Sequence, residues 1–407
     1  MKKPELLAPA GSLAKLKYAV MYGADAVYIG GEAFSLRVAA KNFTADEIKE
    51  GIDFAHERGA KVYITANIIP HNSDLEKFPD FVREVADIGA DAIIVSDLGT
   101  FSVVRSVAPD LDVHISTQAN NTNYASANMW HAMGAKRVIL ARDLSFKEIR
   151  EIREKTDPQL EIECFVHGAM CVSYSGRCLL SNYLTHRDSN RGACSHPCRW
   201  KYYLMEEKRP GEYMPVFENE RGTFIFNSKD LCMIEHIPQL IDSGITSFKI
   251  EGRVKNELYV ATVVKAYRQA IDAYCENPEN YTLDKEILNE LEKVSHREYT
   301  SGFYFGKPTE EQQLYTSNTY IQEYGIVGVV RSWDKESKTA VIEQRNKFEQ
   351  NDTLEVLTPV GENFTITASD MKDENGDPIE SAPHAQMIVT LHSDKPMGEY
   401  CVLRKKK

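Results

Sequence analysis

"ELLAPAGSLAKLKYAVMYGADAVYIGG", from Glu5 to Gly31, holds two short apolar runs, ELLAP and AVYIG, on either side of a segment with helical spacing, SLAKLKYAVMYG. Strand, helix, strand in that order predicts a crossover unit with parallel strands. The alternation continues outward. Apolar runs recur at KVYITAN from Lys61, AIIVSD from Ala92, DVHISTQ from Asp112, RVILAR from Arg137, EIECFVH from Glu161 and SFKIEGR from Ser247, with helical patterns such as TADEIKEGIDFAHERG between them. Strands buried on both faces read as near-continuous apolar runs, so a parallel sheet is expected. Eight such units predict an α/β fold, a (β/α)8 TIM-like barrel. A doubly wound open sheet is the alternative, but no G-x-G-x-x-G follows any run.

The bulk properties narrow the class. The chain has 407 residues, 43% of them hydrophobic, and a formal net charge of −12. That balance argues against indiscriminate nucleic-acid binding and leaves room for a local basic site. No run of about 18 apolar residues occurs, and the opening MKKPELLAPAG meets a proline and a glutamate at once, so a cytoplasmic protein without membrane contact is expected.

In such a barrel the C-terminal ends of the strands carry the chemistry. The residues there are Asn67, Gln118, Arg142, His167, Lys249, Glu251 and Arg253. Each alone reads most simply as a loop or capping residue; as a set on one face they make a site. Asn67 and Gln118 are candidate substrate contacts. Lys249, Glu251, Arg253 and His167 are candidate catalytic residues, because anion sites in these barrels often use the loops after the last two strands.

The seventh run leads into an insertion, about residues 168–223, that is too long for an ordinary loop. It holds Cys171, Cys178, Cys194 and Cys198, half of the chain's eight cysteines. In a reducing compartment this favours a metal or a nucleophile over disulfides. The wide first pair departs from zinc-ribbon spacing, whereas four thiolates satisfy a [4Fe-4S] cluster. A mixed zinc site using His167, His186 or His196 stays open, and Cys232 is the alternative fourth ligand to Cys198. Cys164 and Cys275 read as core or neutral thiols.

Residues 1–275 are thus expected to form the barrel domain. Residues 276–322 read as a polar linker with one short helix, LDKEILNELEKV. Residues 323–407 carry six short alternating segments that predict a small antiparallel β-barrel with a basic end.

No H-E-x-x-H, G-x-S-x-G or Walker A signature is present, nor the cysteine triplet of radical SAM barrels. The stretches ECFVHGAMCVSYSGRCLLSNY, LLAPAGSLAKLKYAVMYGADAVYIGGEAFSLR, NSKDLCMIEHIPQLIDSGITSFKIEGRVK and SHREYTSGFYFG resemble the collagenase-like "peptidase" family of unknown catalytic type, nearly end to end. RGACSHPCRW looks most like the branch that carries out prephenate-dependent 5-hydroxylation of the wobble uridine in bacterial tRNA. The resemblance implies a [4Fe-4S] cluster on Cys171, Cys178, Cys194 and Cys198, with prephenate as co-substrate and tRNA as partner. Arg37, Arg142 and Arg177, with Arg253, are the guanidinium forks that a dicarboxylate would meet. The tail domain is expected to help seat tRNA, and the acidic balance leaves room for a paralogous partner subunit. Two other readings remain: a collagenase-like peptidase, and a zinc-stapled RNA-binding module.

Overall fold

The computed structural model describes residues 2–31, 34–35, 43–170, 174, 178–187, 189, 193–197, 200, 203–204, 214–215, 227–306, 313–314 and 321–407. Seven parallel strands come first: β1 (Glu5–Pro9), β2 (Ala26–Gly30), β3 (Lys61–Ala66), β4 (Ala92–Val95), β5 (Asp112–Ile115), β6 (Arg137–Ile139) and β7 (Glu161–Ala169). A short strand, β8 (Asp230–Cys232), returns antiparallel along β7. β9 (Ser247–Ile250) then pairs in parallel with both β7 and β1 and closes an eight-stranded barrel. β10 (Tyr299–Thr300) adds to β8 outside the barrel.

The outer helices start where local chemistry tells them to. Thr44 and Glu47 form a reciprocal capping box before the helix Ala45–His56, and Ser145 and Glu148 do the same before Phe146–Lys155. Gly89, at φ 94°, ends the helix Phe78–Ile88 in the left-handed conformation that glycine tolerates best. Among the described residues no helix is long and apolar enough to cross a membrane.

The lower half of the barrel lumen is charged. Arg137 reaches Glu5 (2.6 Å), Glu161 (2.6 Å) and Glu163 (3.0 Å), while Tyr63 and Ser247 donate to the Glu5 carboxylate. Burial alone would push Glu5 up, but the Arg137 charge and these hydrogen bonds outweigh it and hold the carboxyl below its ordinary value. Buried charges survive only when paired and bonded in this way.

The described part of the expected linker, up to residue 306, is not a free segment. Residues 277–306 pack on the barrel: Leu291, Val294 and Tyr304 are buried in its core, and Tyr304 donates to the Phe165 carbonyl at 2.7 Å. A modest number of apolar residues, spaced for one buried face, is hidden in a polar sequence.

All six tail segments form strands, at Tyr324–Asp334, Thr339–Gln344, Thr353–Leu357, Phe364–Thr367, Ile388–His392 and Val402–Lys406. They make one antiparallel sheet that curls as a half-barrel over its own core of Val330, Ile342, Phe348, Leu354 and Leu391. This unit is docked firmly on the barrel domain. Tyr22 donates to the Leu357 and Tyr400 carbonyls (both 2.9 Å), and Ile326, Val329, Leu357 and Val402 belong to the barrel's apolar core. Lys265 is capped by the Thr358 and Gly361 carbonyls and Asn363 Oδ1 at 2.8–2.9 Å. Much of the basic end is paired within the chain: Arg404 pairs with Glu290 and Glu355, Lys405 with Asp352, and Lys406 approaches Glu323.

Candidate functional site at the barrel mouth

The upper end of the barrel gathers guanidinium and amide groups. Arg253, just beyond β9, is 4% exposed and extends its Nη1 to Ser35 Oγ (2.8 Å) and Thr65 Oγ1 (3.2 Å). It crosses over two strand ends that leave space for it. A Cβ on Gly30 would lie 2.3 Å from Arg253 Nη2, and one on Gly11 would lie 2.1 Å from the Arg253 carbonyl oxygen. Glycine at these two positions is therefore steric rather than conformational.

Arg142, after β6, stacks its guanidinium 3.8 Å from the Phe165 ring centre. It donates to the Ala169 carbonyl (2.6 Å) and lies 3.4 Å from Glu251. The neighbouring Asp143 carboxyl is raised by burial, against the pull of Arg142.

The ends of β3 and β5 add amides. Asn67 Nδ2 donates to Ser116 Oγ at 3.1 Å, and the Gln118 backbone amide donates to the same oxygen at 3.3 Å. One hydroxyl thus gathers the ends of β3 and β5. Asn67 Oδ1, Gln118 Oε1, Asn120 Oδ1 and Arg142 Nε are buried with no hydrogen-bond partner among the described residues. Buried polar atoms are nearly always satisfied in folded proteins, so these atoms have bonding capacity for a ligand.

Two of the expected catalytic residues lie elsewhere. Lys249 sits lower in the lumen, its Nζ 2.7 Å from Glu163 Oε1 and 4.4 Å from the Tyr28 ring centre. Its charge is committed to the buried network. His167 is turned into an aromatic box of Tyr259, Tyr267 and Tyr299. The cause is a register shift between Lys249 and Ile250 that breaks the two-residue alternation along β7. Burial drives the His167 ring down to about pKa 3, so it is neutral at physiological pH. Glu251 and Arg253 do lie at the mouth, as do Asn67, Gln118 and Arg142. Arg37 and Arg177 fall outside the described residues.

Ser35, Thr65, Ser116, Asn120 and Asn121 were not singled out by sequence reasoning. The polar run STQANN directly after β5 is the signal that could have found three of them.

Cys171 and Cys198 also lie outside the described residues. Cys178 and Cys194 are described, and the segments that carry them are stitched together by hydroxyls. Ser181 Oγ contacts Ser195 Oγ (3.0 Å) and accepts from the Ser195 amide (3.0 Å), while Thr185 Oγ1 lies 2.8 Å from Ser195 Oγ. Ser195 adjoins Cys194, and Ser181 is three residues after Cys178. The His196 amide donates to Cys194 Sγ at 3.4 Å. Soft thiols on adjoining segments fit an iron-sulfur cluster. Among the described residues, no group of three His, Cys, Asp or Glu is arranged to hold a metal ion. Cys232 is half-buried beside Tyr267, and desolvation pushes its thiol up to about pKa 12, which disfavours the thiolate that a metal requires.

Comparison with known proteins agrees with this architecture. Residues 11–314 match Peptidase family U32, and residues 322–404 match the Peptidase family U32 C-terminal domain. The chain is 45% identical over 406 residues to tRNA hydroxylation protein P1 of Bacillus subtilis, covering 100% of this chain and 96% of that one. It is 40% identical over 423 residues to tRNA hydroxylation protein P of Escherichia coli, covering 94% and 92%. A 23S rRNA 5-hydroxycytidine synthase of Escherichia coli is 39% identical over 272 residues, covering 67% of this chain and 40% of that one. From its first barrel helix to its last tail strand, the chain belongs to peptidase family U32.

Proposed function

We propose that this protein hydroxylates RNA, and specifically that it forms 5-hydroxyuridine at the wobble position of tRNA with prephenate as co-substrate. The observation that carries the reading is the mouth itself. Arg142 Nε and three amide oxygens after the strand ends, Asn67 Oδ1, Gln118 Oε1 and Asn120 Oδ1, are buried without partners among the described residues, and the buried Arg253 reaches Thr65, two residues before Asn67. A guanidinium fork suits a carboxylate, and amide oxygens suit the hydroxyl of a hydroxy-acid or the N–H of a pyrimidine. The names carried by full-length relatives point the same way.

Cys171, Cys178, Cys194 and Cys198 are the residues that would hold a [4Fe-4S] cluster, which supplies one-electron chemistry when bound. The chain's own contribution is positioning. Phe165 braces Arg142, Ser35 and Thr65 fix Arg253, and Ser116 sets the spacing of Asn67 and Gln118.

A peptidase is the weaker reading. His167 is boxed by tyrosines and held neutral, and the mouth hydroxyls of Ser35 and Thr65 are engaged with Arg253. The test is incubation of anaerobically purified, iron-loaded protein with unmodified tRNA, with and without prephenate, followed by nucleoside mass spectrometry. Prephenate-dependent 5-hydroxyuridine is expected. Cleavage of a gelatin substrate with no RNA product would overturn the proposal.

A further inference from the structure

The short helix in the described part of the insertion after β7 presents two opposite faces. On the helix Leu180–Thr185, Ser181 and Thr185 are four residues apart and face Ser195, with Ser181 fully buried. Leu179 and Tyr183, also four residues apart, occupy the other side and are 72% and 81% exposed. A tyrosine this open contributes little to packing. Nearby, Arg187 is exposed as well.

The charge of this stretch is opposite to that of the molecule. Residues 171–201 contain five basic side chains (Arg177, Arg187, Arg191, Arg199 and Lys201) against one acid, Asp188, in a chain of net charge −12. An exposed aromatic ring four residues from an exposed arginine, in a stretch of sequence with more basic than acidic residues, is the pattern of a surface for single-stranded nucleic acid: rings stack on bases and cations meet phosphates.

We propose that the Leu179–Tyr183 face of the insertion is the docking surface for a single-stranded RNA loop. Tyr183 stacks on one base and Arg187 neutralises one phosphate. This rests on the RNA-modifying reading and deepens it by assigning the RNA surface to the insertion rather than to the tail, where Arg404 and Lys405 are committed to ion pairs within the chain. A protein partner would be served by the exposed leucine and tyrosine, but it would not call for the charge reversal.

The experiment is fluorescence anisotropy of a labelled anticodon stem-loop RNA with the full-length, iron-loaded protein at several salt concentrations. Tyr183→Ala is expected to weaken binding about tenfold or more, and Tyr183→Phe to bind like the wild type, because stacking needs the ring and not the hydroxyl. Arg187→Ala is expected to reduce the slope of log K against log salt by about 0.7, the loss of one single-strand phosphate contact. Iron content and melting temperature should not change, since both side chains are exposed. If the wild type binds RNA and Tyr183→Ala binds equally well, the assignment is wrong while the hydroxylation reading stands. If the wild type hydroxylates no tRNA and binds no RNA, both fall. A Tyr183→Ala protein with unchanged RNA affinity and an altered protein-complex mass in sedimentation would make this face a protein interface and overturn the proposal.

Discussion

Arg297 grips Asp230 at both carboxylate oxygens: its Nε reaches Oδ1 and its own backbone amide reaches Oδ2, each at 3.1 Å, with both side chains almost completely buried. The pair joins the strand that leads back from the cysteine insertion to the segment before the tail. β8 and β10, which carry or adjoin these residues, pair with each other beside β7. The insertion is therefore anchored at its return by residues that the sequence presents as a linker.

Breaking that anchor should be costly. Asp230→Asn removes the carboxylate charge from a buried ion pair with Arg297 and is expected to lower stability by about 3–5 kcal/mol at neutral pH. Burial pushes the Asp230 carboxyl up, but the Arg297 charge and hydrogen bonds outweigh that and hold it below its ordinary value. A carboxyl lowered in the folded state adds stability that is complete above its unfolded pKa, near 4, and is lost as pH falls through the folded value. Urea unfolding across the acid range should show a shallower pH dependence in Asp230→Asn than in the wild type.

Removal of residues 321–407 should not leave a well-behaved barrel. It would bare Ile326's and Leu357's partners in the shared core and strip Lys265 of its three closest acceptors, while Tyr22 would lose both carbonyl contacts. The truncated protein is expected to aggregate, or to melt well below the full-length chain. An unchanged melting temperature would show that the docking contributes little.

Among the cysteines, Cys178→Ala and Cys194→Ala should abolish iron binding and the broad absorbance near 400 nm, whereas Cys275→Ala should retain both. Cys164→Ala should also retain them. Burial pushes the Cys164 thiol up, far from a thiolate, and it lies within the apolar core. Ser195→Ala should lower iron occupancy without preventing folding, because it removes only the hydroxyls' stitching of the two cysteine segments. Metal analysis of protein purified without oxygen measures all five variants.

The two mouth arginines should separate. Arg253 is buried and bonded to two hydroxyls, so Arg253→Lys should destabilise the protein by about 1.5–3 kcal/mol as well as weaken donor use, since lysine cannot reproduce the fork. Arg142 is braced on Phe165 with a buried Nε that has no partner among the described residues. Arg142→Lys should raise the apparent KM for prephenate about tenfold or more, the loss of one charge-assisted contact, with a smaller fall in melting temperature than Arg253→Lys because its side chain is less deeply buried. Equal KM values for Arg142→Lys and the wild type would remove Arg142 from the anion site.

The barrel was legible because its strands are buried on both faces, so runs such as AVYIG and AIIVSD are unmistakable, and the caps at Thr44 and Ser145 are local signals. The tail strands were legible by alternation between turn residues. The segment 277–306 was misread because its buried face, with Leu291, Val294 and Tyr304, is thinly spread among charges whose partners are distant in sequence. His167 and Lys249 were placed at the mouth by position in their runs. A bulge in the β7–β9 pairing and the depth of the lumen, neither encoded by composition, moved them. Arg253 reaching Thr65 across 188 positions is likewise a consequence of closure.

The most direct measurement is the wobble-position 5-hydroxyuridine content of tRNA, by mass spectrometry, in a strain deprived of this chain and complemented with the wild type or with Cys178→Ala. The account predicts that the modified nucleoside falls on deletion, returns with the wild type and does not return with Cys178→Ala. A content that is the same in all of these strains would contradict it.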